Sequence, residues 1–296
     1  MLSEVTDTPV WLDQRAIEFA KLDASAESIE FSRNEELLAT SLHRYLNPLG
    51  LKAMVQNEGL VITADHLALA RKGIGASQWV NIDEQAERSI ASALKETVSI
   101  DIVEETLQNA IVTLGGQGNI TIMIDAKALE EIGLQVDVPV TLIVNDVKLG
   151  TALEAILSPL DLTYTVKREI LHVTTRDASE QTPLIRLYWL DGTGFPQGNF
   201  NQVIESIQTT IAEDMWAANG GPWKISPLPS GTRNGLLVST TYTVHQEIEA
   251  LLSKLREINF GVDPVVERVQ VPRVQSDIGQ GGGGGGGGFG GGGGFF

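Results

Sequence analysis

The side chains able to do acid–base, nucleophilic or metal chemistry are few, and they are scattered. Four histidines, His43, His66, His172 and His245, show no His-Glu-x-x-His spacing, the arrangement that puts two imidazoles on one helix face around a zinc ion. They read as surface or internally satisfied histidines, and no metal site is expected. With no cysteine in the chain there is no disulfide, no thiolate nucleophile and no cysteine metal site, while the compartment stays open. Glu104/Glu105, Glu130/Glu131 and Glu213/Asp214 are paired acids of the type general acid–base catalysis uses. They fall near predicted helix ends or on exposed faces, and no serine or histidine partners them in a repeated position. The chain is therefore read as a non-enzyme without a cofactor.

Two glycine-containing loops invite a functional reading and decline it. LDGTGFPQGN (190–199) lacks the Asp-Thr-Gly order of an aspartic protease, because Asp191 is followed by Gly192. It also lacks the lysine and hydroxyl residue that follow the last glycine of a phosphate loop, so it is expected to be a strand-to-helix loop with an asparagine cap. LGGQGN (114–119) follows a predicted helix, whereas a dinucleotide fingerprint follows a strand, and it reads as a helix C-cap.

Aromatic residues are the better candidates for contact. Trp216 and Trp223 bracket AANGGP, a segment long enough to project, and with Trp189 they form the expected partner-binding set. The same tryptophans also fit a second reading, as covers over the core of a small domain.

The elements that position these residues carry an internal repeat. Residues 29–63 align without a gap on residues 140–174 at a constant offset of 111, with identities such as Leu38/Leu149, Leu42/Leu153, Leu46/Leu157, Pro48/Pro159, Leu51/Leu162, Val55/Val166 and Thr63/Thr174. The second copy is the fuller one. From Ser99 it reads as strand SIDIVEET, a helix with Leu107, Ile111 and Leu114 on one face, strand NITIMID, a short helical turn AKALEEIG and strand PVTLIVND. A helix with Leu149, Leu153, Ile156, Leu157 and Leu160 in one stripe follows, and then a hairpin turning at 167–169, giving β-α-β-β-α-β-β. In the first copy VWLDQRA (10–16) matches IMIDAKA (122–128) after a one-residue deletion, but the opening strand and helix have no counterpart. Side chains such as Leu42 and Ile62 are then expected to be partly wet, at about 25 cal/mol per Å² of burial lost. The chain start is accordingly expected to be internal to a longer ancestral protein, or the true start to lie upstream.

A third unit has the different order β-α-β-β-α. It runs from IRLYWL through a helix bearing Val203, Ile207 and Ile211, then PWKISPLP, GLLVSTT and TVHQEIEALLSKLREI. The expected fold class is α+β, tandem small β-α-β modules plus a KH-like βαββα unit and a disordered Gly-rich tail. The expected boundaries are 1–66 for the incomplete first module, 67–98 for a helical connector and 99–177 for the complete second module. The third unit follows at 183–259, and the extended then Gly-rich segment at 260–296. Within the connector, 84–98 reads as one helix with Ile90, Leu94 and Val98 aligned, and RDASEQTP after Thr175 reads as a polar linker.

Composition narrows the partners. At 296 residues and 42% hydrophobic content the chain can fill two or three small cores, and its net charge of −17 repels phosphate backbones and anionic headgroups. Nucleic acid is excluded as an expected partner, the KH-like order of the third unit notwithstanding. No apolar run approaches the ~20 residues of a membrane span, and MLSEVTDTPVWLDQ has acids where an export signal needs a basic start. Neither a span nor a signal peptide is expected in this chain.

The segments NITIMIDAKALEEIG, PVTLIVNDVKLGTALEAILSPLDLTYTVKREILHVTT and SIEFSRNEELLATSLHRYLNPLGLKAMVQNEGLVITAD resemble the secretin and TonB short N-terminal domain. The pattern of apolar helix, Leu-x-Leu-Thr-Tyr and a hairpin ending in a Val-Thr-Thr-like strand is similar to that of envelope-associated proteins of planctomycete-like bacteria. The third unit, from IRLYWL to NGLLVSTTYTVHQEIEALLSKL, is similar to the secretin N-domain that follows. The chain departs from a secretin by ending in glycines where pore-forming amphipathic strands are required. The resemblance implies a type II/III secretion-like, non-enzymatic interaction module in the periplasm or cell envelope, whose partners are proteins or further copies of itself. The alternative reading is a small-molecule or glycan receptor that binds near Trp189, Trp216 and Trp223.

Overall fold

A computed structural model describes residues 8–23, 37–56, 59–196, 198–230 and 233–261. Of the extended run and Gly-rich tail expected over 260–296, residues 260 and 261 instead end a helix and 262–296 lie outside the described residues, as do the repeat pairs from Ile29 to Glu36. The fold class is α+β, with four small sheets.

The repeat holds at the level of single strand pairs. In the first copy β1 (Val10–Leu12) runs parallel to β3 (Gly59–Ala64), which pairs antiparallel with β2 (Leu51–Gln56). In the second, β6 (Ile122–Ile124), β8 (Leu162–Lys167) and β9 (Ile170–Thr175) repeat the arrangement. Val10↔Leu60 corresponds to Ile122↔Leu171, and Leu51↔Ala64 to Leu162↔Thr175. The helices correspond too: α1 (Gln14–Ala20) and α2 (Leu38–Leu46) match α6 (Ala126–Glu131) and α7 (Leu149–Leu157). Asp13 and Asp125 cap the equivalent helices through their carboxylates. The prolines at 48 and 159 each open a 3-10 turn that ends in a left-handed residue, Gly50 or Asp161.

The second module adds what the first lacks. β5 (Thr97–Thr106) and β7 (Pro139–Lys148) form a two-stranded antiparallel sheet, bulged twice. Helix α5 (Leu107–Gln117) and α7 touch both this ribbon and the three-stranded sheet, so their stripes Leu107, Ile111, Leu114 and Leu149, Leu153, Ile156 are buried from two sides. Three differences from the sequence reading appear here. The helix expected over 84–98 stops at Ala93 as α4 (Glu84–Ala93), and Val98 is the second residue of β5, its side chain in the same core. The second module's first strand accordingly opens at Thr97. The polar stretch 176–183 is no plain linker: it holds α8 (Arg176–Gln181), capped by the Thr175 hydroxyl.

In the third unit β10 (Leu184–Trp189), α9 (Phe200–Thr210), β11 (Lys224–Ser230), β12 (Arg233–Thr240) and α10 (Tyr242–Gly261) give the expected βαββα order. Its sheet gains a fourth strand from the connector, β4 (Gln78–Trp79), which pairs antiparallel with β10 after α3 (His66–Arg71). The opposite edge is β11, whose Pro227 and Pro229 have no N–H to offer a further strand.

Of the two side chains expected to be partly wet, Ile62 is half-buried as expected, whereas Leu42 is only 4% exposed. Leu42 belongs to a core that Phe260, at the end of α10, enters, stacking on Phe19 with centroids 5.0 Å apart.

Candidate functional site

Two places bring side chains from distant segments together, a cleft and a buried seam. The cleft lies where the first module meets the 190–196 loop and the end of α10. It encloses about 490 Å³ and is lined by Arg15, Lys21, Arg233, Phe19, Phe195 and Phe260 among others.

Each wall follows from local structure. Arg15, in the first turn of α1, bonds back to Asp13 and sends Nη1 to Asn259 Oδ1 (3.0 Å) and Nη2 to the Asn259 carbonyl (3.1 Å). Asn259 Nδ2 in turn donates to the Gly192 carbonyl at 3.0 Å. The buried Arg256 donates to the carbonyls of Trp189 (2.6 Å) and Asp191 (3.1 Å), and burial lowers its pKa. Arg233 pairs with Asp191 at 2.8 Å and lies 3.9 Å from the Trp189 ring centroid. Gly192 has φ +77°, and a Cβ there would stand 2.8 Å from Phe260 and 3.0 Å from Phe19. The close approach of loop to aromatic pair therefore requires glycine at 192.

The seam joins connector, second module and third unit. Trp79 stacks on Tyr242 (5.9 Å) and meets His245 edge-on (5.0 Å), while the Arg186 guanidinium sits 4.6 Å from its ring. Arg186 pairs with Glu249 at 3.2 Å, which also accepts from Ser77. Tyr242 donates to the buried Glu87 at 3.2 Å, and burial first, then the Glu87 charge, push the Tyr242 hydroxyl pKa up. His245 is fully buried, with Nε2 2.9 Å from the Leu184 carbonyl and Nδ1 2.9 Å from the Tyr188 hydroxyl. A carbonyl only accepts, so Nε2 carries the proton and Nδ1 is the lone pair. Desolvation lowers the His245 pKa to about 3.

Of the three tryptophans singled out by sequence, none lines the cleft; Trp189 lies beside it, under the Arg233 guanidinium. Trp216 and Trp223 lie 0% and 5% exposed in the third core, edge to face at 5.7 Å. The segment between them does not project. Ala217 N–H donates to the Trp223 carbonyl, Trp216 Nε1–H to the Ile211 carbonyl, and Gly221 is so close to the Met215 backbone that a Cβ would fall 2.1 Å from it. Their burial matches the reading as core covers and leaves no ring surface for a partner. The paired acids Glu104/Glu105, Glu130/Glu131 and Glu213/Asp214 are all exposed.

A serine and a histidine also meet: Ser253 Oγ stands 3.4 Å from His66 Nε2. His66 Nδ1 is buried without a hydrogen-bond partner among the described residues, and desolvation, then Lys52 and Arg256, lower its pKa. Among the described residues no side chain bonds His66 Nδ1 to orient the ring as a base, the role of the third member that activates a serine. Among the described residues no three His, Asp or Glu side chains converge to hold a metal ion, and no helix is long and apolar enough to cross a membrane. The cleft residues Arg15, Lys21, Phe19 and Phe260 had escaped sequence reasoning because they come from segments some 240 residues apart. The one available signal was the Gly192–Gly194 loop.

No family model matches the chain, and no curated protein matches it. Two of the solved structures that a comparison of folds returns are the following. One is XcpQN012, at 12% identity over 55% of this chain and 66% of that chain, with a TM-score of 0.23. The chain thus spans just under two thirds of that structure's length. The other is InvGN0N1:SpaPQR:PrgHK from the Salmonella SPI-1 injectisome NC-base, at 9% identity over 55% of this chain and 96% of that chain, with a TM-score of 0.24.

Proposed function

We propose that this chain is a non-enzymatic assembly module of the bacterial cell envelope, located in the periplasm and built like the front domains of a secretin. Its units are the first module (1–66), the second (99–177) and the third (183–259). The observation that carries the reading is the repeat itself. Two copies keep the same strand register and cap positions while surface pairs such as His43/Glu154, Arg44/Ala155 and Lys52/Thr163 differ, which is how a chain preserves a packing unit and frees its surface for separate contacts. The sequence resemblance to secretin and TonB short N-terminal domains supplies the setting, and the exposed Val103, Val112 and Ile143 on the second module are surface apolar groups of the kind protein contacts use. Multi-angle light scattering, on the chain alone and after mixing with a solubilised envelope fraction, tests it. A defined oligomer, or a discrete heavier complex, is expected. A strict monomer under both conditions contradicts the reading.

The cleft favours one second reading, a receptor for a small anionic or glycan ligand held by Arg15, Lys21 and Arg233 beside Trp189. Trp216 and Trp223 are buried whereas Trp11 and Trp189 are half-buried, so the reading expects a fluorescence change on titration with envelope sugars that Trp189→Phe abolishes and Trp11→Phe does not. A flat response across the panel rules the receptor out.

A further inference from the structure

The two copies part company along one wall of the cleft. Residues 14–22 and 126–134 align at an offset of 112, and their helices end alike. Lys21 N–H donates to the Glu18 carbonyl and Leu22 N–H to the Ile17 carbonyl, as Gly133 and Leu134 donate to Glu130 and Leu129. The capping position is left-handed in both, at φ +56° for Lys21 and φ +76° for Gly133. Glycine takes that conformation without steric cost, and lysine does not. The first copy therefore keeps a cation where the second keeps the residue the backbone favours. Two positions earlier Phe19, on the cleft wall, stands where the second copy has Glu131. Backbone strain held in one copy of a repeat and relieved in the other points to use, and here the strained residue lines a cavity.

The rest of the wall narrows what the lysine is for. Arg15 is engaged with Asp13 and Asn259, Asn259 with the Gly192 carbonyl, and Arg233 with Asp191. Lys21 is exposed, and among the described residues its ammonium meets no acid and no hydrogen-bond acceptor. The half-buried Ile74 and Phe195 line the same cleft with the Phe19 and Phe260 pair. We infer that the cleft takes a monocarboxylate with an aromatic or aliphatic body, its carboxylate at Lys21 and its body against Phe195 and Ile74. One unpaired cation matches one negative charge, and side chains already bonded to one another leave few groups for the many hydroxyls of a sugar. Glu18, also on the lining and exposed, opposes every anion and a doubly charged one most. This inference rests on the receptor reading of the cleft and names its ligand class.

Isothermal titration calorimetry on the full 296-residue chain tests it, with phenylacetate, 2-phenylethanol, acetate, inorganic phosphate and N-acetylglucosamine as probes. Phenylacetate is expected to bind roughly tenfold tighter than any of the others, because only it combines the charge with the apolar body. Lys21→Gly should weaken phenylacetate about fivefold and leave the melting temperature no lower, since glycine suits the left-handed backbone. Glu18→Gln should tighten it about twofold by removing a repulsion. Both positions are exposed, so neither variant endangers the fold. No binding of phenylacetate, or binding that Lys21→Gly leaves unchanged, overturns the inference. Preference for N-acetylglucosamine or phosphate over phenylacetate overturns it while leaving the receptor reading standing. Silence from every probe contradicts the receptor reading as well.

Discussion

His245 has both ring nitrogens in use and its pKa depressed to about 3, and this makes stability depend on pH with a definite sign. The unfolded chain takes up a proton on His245 as pH falls below about 6.5, whereas the native chain does so only near its own lower pKa. The stabilisation from a neutral His245 is therefore complete above about pH 6.5 and lost progressively toward acid, at roughly 1.4 kcal/mol per pH unit, or about 3 kcal/mol by pH 4. The lowered pKa values of His66 and His172, both due first to desolvation, act in the same direction. Urea midpoints at pH 7.5 and 4.5 check this, and His245→Gln should flatten much of the slope. Asp13 gives a second residue-scale prediction, through comparison with its repeat equivalent. Asp13 is fully buried, caps α1 and accepts from Thr63 Oγ1 at 2.9 Å, whereas Asp125 caps α6 from a partly exposed position beside Lys167. Asp13→Ala should cost about 2–3 kcal/mol, a lost cap plus an orphaned buried hydroxyl, and Asp125→Ala about 1 kcal/mol, measured by denaturant titration.

At the scale of elements, the first module is held by the end of a helix that belongs to the third unit. Phe260 is 1% exposed against Phe19, so Phe260→Ala should cost about 3–5 kcal/mol. In limited proteolysis that variant should be cleaved within 8–72 while 97–175 stays protected; equal protection of both would show that the contact is dispensable. Most of the elements were legible in the sequence because their apolar periodicity is their own. The α5 and α7 stripes, the Pro48 and Pro159 stops and the βαββα order of the third unit all follow from local pattern. What escaped was non-local. β4 is two residues long, too short to show any alternation, and it exists because Trp79 finds Tyr242, His245 and Arg186. Val98 has helical spacing with Ile90 and Leu94, yet β5 claims it through its pairing with Val147. The cleft assembles from α1, the 190–196 loop, β12 and α10, and Trp216 and Trp223 turned inward because the backbone between them closes on itself.

On the scale of the whole molecule, the connector and α10 make one continuous body of units that the repeat alone would leave as beads. β4 lends its edge to the third sheet, Tyr242 bridges Glu87 and Tyr164, and α10 runs on to the first module. Such a body offers few places for a partner. The β11 edge is obstructed by prolines and the β10 edge is occupied, whereas among the described residues Val103, Val112 and Ile143 of the second module are exposed apolar groups. The measurement that tests the assembly claim most directly is site-specific photo-crosslinking in the native cells, with a photoreactive residue placed in turn at Val112, Ile143 and the exposed Glu205 of α9. The account predicts a discrete crosslinked species from Val112 or Ile143 and none from Glu205. An unlinked chain at all three positions, in cells where the protein is present at its normal level, would contradict it.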